Sequence, residues 1–505
     1  MNNRTVNSAR NVIIGLTNRI VILLLNFLGR KLFIQYIGVE LLGLNGLFYN
    51  VLQFLTLADL GFGTAMAYSF YKPLSEKDNS KLTALTNFYA KVYNIIALSV
   101  LILGIMIIPF LKYIINLPSS VDHIYFYYLL FLANTVFSYV LIYKSTLLRA
   151  DQKGFIIDKV SIIINVIRTI TQIISVVVFK NYTIYLLIAI FSTLINNIVI
   201  SRIADRTYPY LKENANSLSK NERKDIFSNL KSVFIYKFSS TLLNSVDNIL
   251  ISVILGTITV GLYSNYQTII MNISQIVTIV FSSVTASIGN LVITGKVSEK
   301  YKIFKTMQML SFWLSAVVSI GIFNLSNEFI TLWLGESFVF DQTVVAAMSF
   351  NLFFSTSMQP LWSYREATAL YQKTKYVMCI TALLNLILSI PLGYIFGLSG
   401  IIFSTVFSRI LTYFWYEPII LFQQYFKISP KKYFFEYFLN IFIVIILMIL
   451  MAAILGWIGT GGFLLLLLKA ILCVLIVSIA YIALYYRSEQ FKILEEKVFQ
   501  LCHLK

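Results

Sequence analysis

A series of long apolar runs recurs along nearly the whole 505-residue chain, and it limits what the chain can fold into more than any other feature. A helix that crosses the hydrocarbon core of a bilayer, about 30 Å thick, needs about 20 predominantly apolar residues. Fourteen segments meet this requirement: 11–36, 42–70, 83–110, 123–148, 159–179, 183–201, 232–255, 260–290, 306–327, 343–370, 376–396, 400–426, 434–456 and 462–486. The sequence therefore predicts an all-α polytopic membrane protein with about 14 transmembrane helices.

The composition excludes a soluble enzyme. Only 12% of the residues are charged, whereas a soluble domain averages about 25%. The net charge of +18 would suggest nucleic acid as the partner of a soluble protein. Here we attribute it to basic residues that collect in the cytoplasmic loops of membrane proteins, and we expect the bilayer, not nucleic acid, as the partner.

The distribution of the basic residues predicts the topology. If the N-terminus is cytoplasmic, only Lys112 and Lys180 lie in the outer connections between spans. Short loops follow the positive-inside bias closely. The sequence therefore predicts a multi-pass protein of the bacterial cytoplasmic membrane with both termini in the cytoplasm.

Two short repeats divide the spans into two lobes. The segment from Gly38 to Gly43 resembles the segment from Gly256 to Gly261, and Ile-Phe-Ser-Thr occurs at 190–193 and at 402–405. The nearly equal offsets predict two six-helix lobes in parallel pseudo-repeat, related by an axis along the membrane normal. The predicted parts are an N-lobe (1–204, spans 1–6), a cytoplasmic hinge loop (205–231), a C-lobe (232–427, spans 7–12), spans 13–14 (428–486) and a cytoplasmic amphipathic tail (487–505).

Charged residues within the spans are candidates for a binding site. Each costs about 2.5 to 3.5 kcal/mol at a helix centre on insertion scales, so it is retained where water, a partner or a ligand stabilises it. The helical phase of the polar residues predicts a central cationic cavity that binds an anion. The candidate substrate-binding residues are Arg19, Arg30, Arg168, Lys237, Arg365 and Arg409. Asp59, Asp247, Glu366 and Glu417 are candidate coupling or ion-pair acids, and Asn26, Asn45, Asn244, Asn248 and Gln275 are candidate polar lining.

Two alternatives limit this interpretation. The neutral polar residues are equally explained by hydrogen bonds that hold packed helices together. Lys31, Lys91, Lys144 and Lys469 lie nearer the ends of their spans, where long side chains reach the interface.

Two proline positions predict interrupted helices. Pro360 lies just before Arg365, and Pro391 lies within span 11. Proline removes a backbone hydrogen bond and frees a carbonyl group. Interrupted helices at membrane depth are typical of binding or moving parts in transporters, although a static kink explains Pro391 equally well.

No motif for a metal, a cofactor or catalysis is present. The sequence lacks a phosphate-binding loop, HExxH and CxxC, and it has two histidines and three cysteines. We therefore expect no catalytic residue, no metal and no cofactor. In the tail, apolar residues at helical spacing among charged ones predict a short interfacial helix.

Four strings of residues resemble a known family. They are Leu57-Ala-Asp59-Leu-Gly61-Phe-Gly63-Thr-Ala65, Leu148-Arg149-Ala-Asp-Gln152-Lys153, Asp247-Asn-Ile-Leu-Ile-Ser252 with Gly256 and Val260-Gly-Leu-Tyr263-Ser264, and Trp333-Leu-Gly335-Glu336. In order and spacing the chain resembles the O-antigen and capsular repeat-unit flippases of the multidrug/oligosaccharidyl-lipid/polysaccharide exporter superfamily.

The resemblance implies a function. Members of that family have fourteen helices around a cationic lumen, and they carry a polyprenyl-diphosphate-linked oligosaccharide from the cytoplasmic to the outer leaflet by alternating access. Polysaccharide polymerase and chain-length proteins would be candidate partners.

Other functions remain alternatives. A lipid II exporter or a multidrug exporter of the same superfamily is one, although a cation extruder would favour acidic residues in its lumen. A membrane-embedded polymerase or glycosyltransferase is another. The short outer connections count against a membrane enzyme of that kind.

Overall fold

The computed structural model describes residues 25–56, 62–116, 121–151, 153–213, 218–294, 297–368 and 371–502. These residues are helical almost throughout, and none of them forms a β-strand. The helices, numbered in chain order, are α1 (25–36), α2 (Val39–Leu55), α3 (Phe62–Glu76), α4 (Asn79–Ile107), α5 (Leu111–Ile114), α6 (Ile124–Ser138), α7 (Tyr143–Ala150), α8 (Gly154–Val177), α9 (Tyr182–Thr207), α10 (Lys220–Leu255), α11 (Thr257–Thr294), α12 (Val297–Leu334), α13 (Gln342–Ser357), α14 (Gln359–Ala367), α15 (Tyr371–Leu411), α16 (Tyr413–Ile420), α17 (Lys431–Trp457), α18 (Phe463–Tyr485) and α19 (Glu489–Cys502).

The prediction of an all-α polytopic membrane protein is confirmed. Within the described residues, eight helical segments are long and apolar enough to cross a bilayer, or nine if the bent pair α6 and α7 is one span. The number of fourteen spans stays a prediction. Helix α18 illustrates why a bilayer suits these helices: Leu466, Cys473 and Val477 are buried along one stripe, while apolar side chains such as Leu464 and Leu467 are exposed around it.

Helices α12 and α13 form an antiparallel hairpin. Their contacts run in opposite sequence order: Asn327 donates to the carbonyl of Phe340 (3.0 Å), and Ser349 donates to the carbonyl of Ser319 (2.7 Å). The turn contains Gly335 at φ 110°, a conformation that favours glycine. The string Trp333-Leu-Gly335-Glu336 therefore marks a turn between two long helices.

Helix α15 is also a hairpin, and its turn lies at Gly397. This glycine has φ 61° and ψ −140° inside an otherwise helical segment. On either side of it, Ser389 and Ser404 share a hydrogen bond of 2.5 Å, and Thr381 and Thr412 share one of 2.6 Å. Residues 15 and 31 positions apart can meet in this way only if the chain reverses, because a continuous helix rises about 1.5 Å per residue.

The predicted break at Pro391 is wrong. Pro391 lies inside helix α15, and the non-helical residue is Gly397. Ser389, two residues before the proline, donates to or accepts from Ser404 of the opposite arm, so the neighbouring arm supplies polar contacts at this depth. Pro391 itself is exposed, so the alternative of a static kink packed by a neighbour is not confirmed.

The break predicted near Pro360 is present. Helix α13 ends at Ser357, and helix α14 begins at Gln359. A second break, which the sequence analysis missed, divides the predicted span 123–148. Helices α6 and α7 meet there at 44°, and Leu141 has φ 64°.

The described helices belong to two compact units, Met1–Gly261 and Leu262–Lys505. The predicted lobe boundaries stay a prediction. Within the predicted hinge loop 205–231, helix α10 already begins at Lys220. Ser219 and Glu222 form a capping box at its start, a pattern that stabilises helix N-termini.

The two glycine repeats contact each other within the first unit. Gly38 and Gly256 have φ of 109° and 96° and precede helices α2 and α11. A Cβ atom at Gly43 would lie 2.2 Å from the carbonyl oxygen of Thr257, and one at Gly261 would lie 2.7 Å from the carbonyl oxygen of Val39. The contact is reciprocal: each repeat contacts the other in the same way, as two equivalent surfaces do across a local twofold axis.

Candidate substrate-binding site

Arg30 and Arg168 both lie near Tyr185 in the first unit. Helix α1 packs on α8 at Gly29, where an added Cβ would lie 3.7 Å from Cγ2 of Thr169. The hydroxyl of Tyr185, on α9, is close enough to both guanidinium groups to interact with them electrostatically. We call these three residues the Tyr185 cluster. It unites two of the basic residues that the sequence analysis selected.

The phase of helix α8 explains the position of Arg168. Four isoleucines at intervals of three or four residues form an exposed apolar stripe, Ile163, Ile167, Ile170 and Ile174. At 100° per residue, Arg168 lies about 130° from the middle of that stripe, on the same side as Gln172. Gln172 is buried and donates to the backbone carbonyl of Tyr185 (3.1 Å), which fixes α9 against this polar side of α8.

Aromatic residues pack beside the cluster. Phe33 contacts the rings of Tyr182 and Tyr185 in edge-on geometry, with centroids 5.8 and 5.0 Å apart. The hydroxyl of Tyr182 donates to Oδ1 of Asn45 (2.9 Å). Asn45, a predicted lining residue, therefore holds helix α2 to α9.

Arg365 and Glu417 form a buried ion pair in the second unit. Nη1 of Arg365 lies 2.5 Å from Oε1 of Glu417, and their side chains are only 8% and 5% exposed. The guanidinium group also lies over the ring of Trp362, 5.9 Å from its centroid. A small cavity of about 10 Å³ borders the pair, about the room of one water.

Arg409 lies beside this pair. It is buried, and its Nη1 donates to Oδ1 of Asn351 (2.7 Å). Tyr413 is close enough to Arg365, Arg409 and Glu417 to interact with all three. We call Arg365, Arg409, Tyr413 and Glu417 the Glu417 cluster. It has two cations and one acid.

The other predicted residues have diverse positions. Arg19 and Asp59 lie outside the described residues, as do the side chains of Lys237, Asn244 and Glu366. Asp247 is buried on α10, Asn248 is half-buried, and Asn26 and Gln275 are exposed. The central cavity, and the role of these residues in it, stay predictions.

Two lysines that the sequence analysis assigned to the interface are paired instead. Lys469 is almost fully buried, and its Nζ lies 2.6 Å from Oε2 of Glu328. Nζ of Lys144 lies 2.8 Å from both carboxylate oxygens of Asp205. Lys469 shares the helical phase of the buried stripe of α18, and that phase is the signal by which the sequence could have placed it.

Asp151, directly after the end of α7, forms a polar corner with Tyr208 and Lys153. The Tyr208 hydroxyl donates to Oδ2 of Asp151 (2.7 Å), and Nζ of Lys153 lies 2.7 Å from the same oxygen. Burial, and then the hydrogen bond to this carboxylate, raise the pKa of Tyr208 well above its usual value. The hydroxyl therefore stays protonated and ties the end of α9 to the end of α7.

Within the described residues, no group of three or more His, Cys, Asp or Glu side chains is placed to hold a metal ion. The clusters instead present arginine forks and tyrosine hydroxyls. Guanidinium groups match the oxygens of phosphates and carboxylates in charge and geometry.

Comparison with known proteins places the fold. The structure resembles the lipid II flippase MurJ in an inward closed conformation, with a TM-score of 0.69 at 16% identity over 94% of this chain and 99% of the other. It also resembles an inward-facing multidrug resistance MATE family transporter (TM-score 0.55, 14% identity, 79% of this chain and 94% of the other). A mutant of the Vibrio cholerae MATE transporter VcmN gives a TM-score of 0.55 at 14% identity, over 81% and 95%.

At these identities the likeness shows the fold alone. No curated protein matches the sequence. Residues 8–288, more than half of the chain, match the family described as "Polysaccharide biosynthesis protein". This multi-pass membrane protein therefore belongs to the polysaccharide biosynthesis protein family.

Proposed function

We propose that this protein is a flippase for polyprenyl-diphosphate-linked oligosaccharide repeat units. It moves them from the cytoplasmic to the outer leaflet of the bacterial cytoplasmic membrane by alternating access, for a capsule or O-antigen type of surface polysaccharide. Family membership supports a role in polysaccharide biosynthesis. An anionic cargo is proposed because Arg30 and Arg168 both lie near one tyrosine, Tyr185.

The chemistry of the cargo matches these groups. An oligosaccharide with many hydroxyls and a diphosphate cannot cross hydrocarbon unaided, because each unmade hydrogen bond costs several kcal/mol. Two arginine forks can bind the diphosphate oxygens through charge-assisted hydrogen bonds. The Tyr185 hydroxyl can donate a further one, while the polyprenyl tail stays in the lipid.

The two arginine clusters have different roles in this proposal. Arg365 is already paired with Glu417, and Arg409 donates to Asn351, so we assign the Glu417 cluster mainly to the stability of the second unit. Within the described residues, no acid forms an ion pair with Arg168. We therefore assign cargo binding first to Arg168, and we add Arg30 because it interacts with the same tyrosine.

The membrane potential supplies a driving force. Movement of one negative charge outward across an inside-negative membrane is favourable by about 2.3 kcal/mol per 100 mV. A diphosphate carries at least one such charge through the cycle. In proteoliposomes, flipping should accelerate under an inside-negative potassium-diffusion potential, and a rate that ignores the potential would contradict this coupling.

The test of the binding assignment replaces each arginine by alanine. Arg168→Ala and Arg30→Ala should each slow flipping about 10- to 100-fold, because a hydrogen bond to a charged group contributes about 1.5 to 3 kcal/mol. Arg206→Ala is the matched control, since Arg206 is exposed at the end of α9 and loses the same charge. Arg168→Lys should restore part of the rate, because lysine keeps the charge without the fork.

Flipping is measured as the loss of lipid-linked glycan from the cytoplasmic-side leaflet of proteoliposomes. Rates for both cluster variants that equal the rate of Arg206→Ala would overturn the assignment. Parallel assays with lipid II and with a cationic drug test the alternatives within the superfamily. Transport of the drug alone would overturn the proposed function.

A further inference from the structure

A cavity of about 350 Å³ lies in the second unit between α12, α17, α18 and the start of α19. It has no residue in common with the Tyr185 or Glu417 clusters. Its polar end is formed by Lys305 and Gln308 of α12 and by Lys432 and Glu436 from the first two turns of α17. Lys305 and Glu436 form an ion pair there.

Gln308 has an unused hydrogen-bond donor at this end. The residue is 2% exposed, and its Oε1 accepts from Nζ of Lys305 (3.1 Å). Its Nε2 has no hydrogen-bond partner among the described residues. A buried donor without a partner costs about 1 to 3 kcal/mol, so an acceptor that enters the cavity and reaches Nε2 would be bound favourably.

The charge at this end is positive. Lys432 is close enough to Lys305 for the two ammonium groups to repel each other, and Glu436 neutralises only one of them. An anion near Lys432 would relieve that repulsion. A phosphate oxygen would satisfy both this charge and the Nε2 donor of Gln308.

Apart from Tyr485, Ser488 and Gln490 near the start of α19, the rest of the cavity is apolar. It is lined by Phe312, Leu439, Ile443 and Leu484, and Leu439 and Leu484 are exposed on the outer surface of their helices. The volume is many times the roughly 30 Å³ share of one water molecule. A bare phosphate ion would leave the apolar part of this space unoccupied.

We propose that this cavity binds an anionic glycerophospholipid, with its phosphate on Lys432 and Gln308 and one acyl chain along Phe312, Leu439 and Ile443. Basic pockets between transmembrane helices are suited to such headgroups. The bound lipid is a resident ligand that ties α19 to α12 and α17, and it is distinct from the flipped cargo. The assignment depends on the second unit alone and does not require the proposed transport activity.

The test measures lipid binding to the purified full-length protein by native mass spectrometry, titrated with phosphatidylglycerol in detergent. Lys432→Gln should weaken binding about fivefold, which corresponds to about 1 kcal/mol for one basic residue. Lys431→Gln is the matched control, because Lys431 is the adjacent exposed lysine and does not line the cavity. It should leave binding within twofold of wild type.

Three further arms make the result decisive. Gln308→Leu should weaken phosphatidylglycerol binding as Lys432→Gln does. If Gln308→Leu melts at the wild-type temperature and still binds the lipid equally well, the Gln308 contact is overturned. Phosphatidylcholine with the same acyl chains should bind at least fivefold more weakly, and equal binding would overturn the anionic specificity. Inorganic phosphate at the same concentration should not displace the lipid, and full displacement would overturn the role of the acyl chain. Equal losses for Lys431→Gln and Lys432→Gln would overturn the site itself.

Discussion

The ion pair between Arg365 and Glu417 predicts a large, asymmetric response to mutation. Both side chains are more than nine-tenths buried, so Glu417→Gln leaves a guanidinium group in a low-dielectric environment without its counter-charge. Removing one member of such a pair costs about 3 to 5 kcal/mol. Arg365→Gln should cost a similar amount, because it leaves the carboxylate in the same position.

The double variant Arg365→Met/Glu417→Leu should recover most of this loss. Buried ion pairs replaced by apolar residues of similar volume are often neutral in stability, because the desolvation cost of both charges disappears as well. We therefore expect a free energy of unfolding within about 1 to 2 kcal/mol of wild type. The coupling energy between the two sites should then exceed about 3 kcal/mol.

The free energy of unfolding of each purified variant is measured by denaturant titration, with all variants in the same detergent. The control is the exposed pair Lys72 and Glu76, four residues apart on α3 with side chains 82% and 57% exposed. Lys72→Gln should cost no more than about 0.5 kcal/mol. If Glu417→Gln also cost less than about 1 kcal/mol, the pair would be hydrated, and the structural role given to the Glu417 cluster would be refuted.

Three other substitutions test single contacts by the same unfolding measurement. Gly397→Ala should lower the free energy of unfolding by roughly 1 to 3 kcal/mol, because alanine does not adopt φ 61° with ψ −140° without strain. The control, Gly456→Ala, lies in an open position on α17 and should not lower it. Equal values for the two variants would contradict the backbone argument. Gly43→Ala should lower the free energy of unfolding by about 1 to 3 kcal/mol, since its Cβ would overlap the carbonyl oxygen of Thr257. An unchanged free energy would mean that α2 and α11 are further apart than in this structure. Tyr208→Phe should cost about 1.5 to 3 kcal/mol by removing the hydrogen bond to a carboxylate, and no change would show that Lys153 alone holds Asp151.

The helical fold was predictable because the bilayer constrains the sequence so strongly. Apolar runs of about 20 residues locate the arms of hairpins. The predicted span 376–396 corresponds to the first arm of α15, and the predicted span 400–426 begins in its second arm and continues into α16. The position of a turn depends on the residue that can adopt its backbone conformation. That residue is the glycine, although proline is the stronger signal in the sequence.

The partners of buried charges were less predictable. Helical phase indicates which side of its own helix a residue occupies, as it does for Arg168. It does not indicate which residue of another helix lies opposite. Lys469 and Glu328 are 141 positions apart, and Arg365 and Glu417 are 52 positions apart. Both pairings depend on how distant helices pack.

The reciprocal glycine contact links folding to the order of synthesis. Gly43 and Gly261 are 218 positions apart, and a ribosome adds about 5 to 20 residues per second. The start of α2 must therefore wait about 10 to 40 seconds after its own translation before its opposing surface exists. During that interval the first helices have to stay in the membrane without aggregating, although the contact between α2 and α11 has not yet formed.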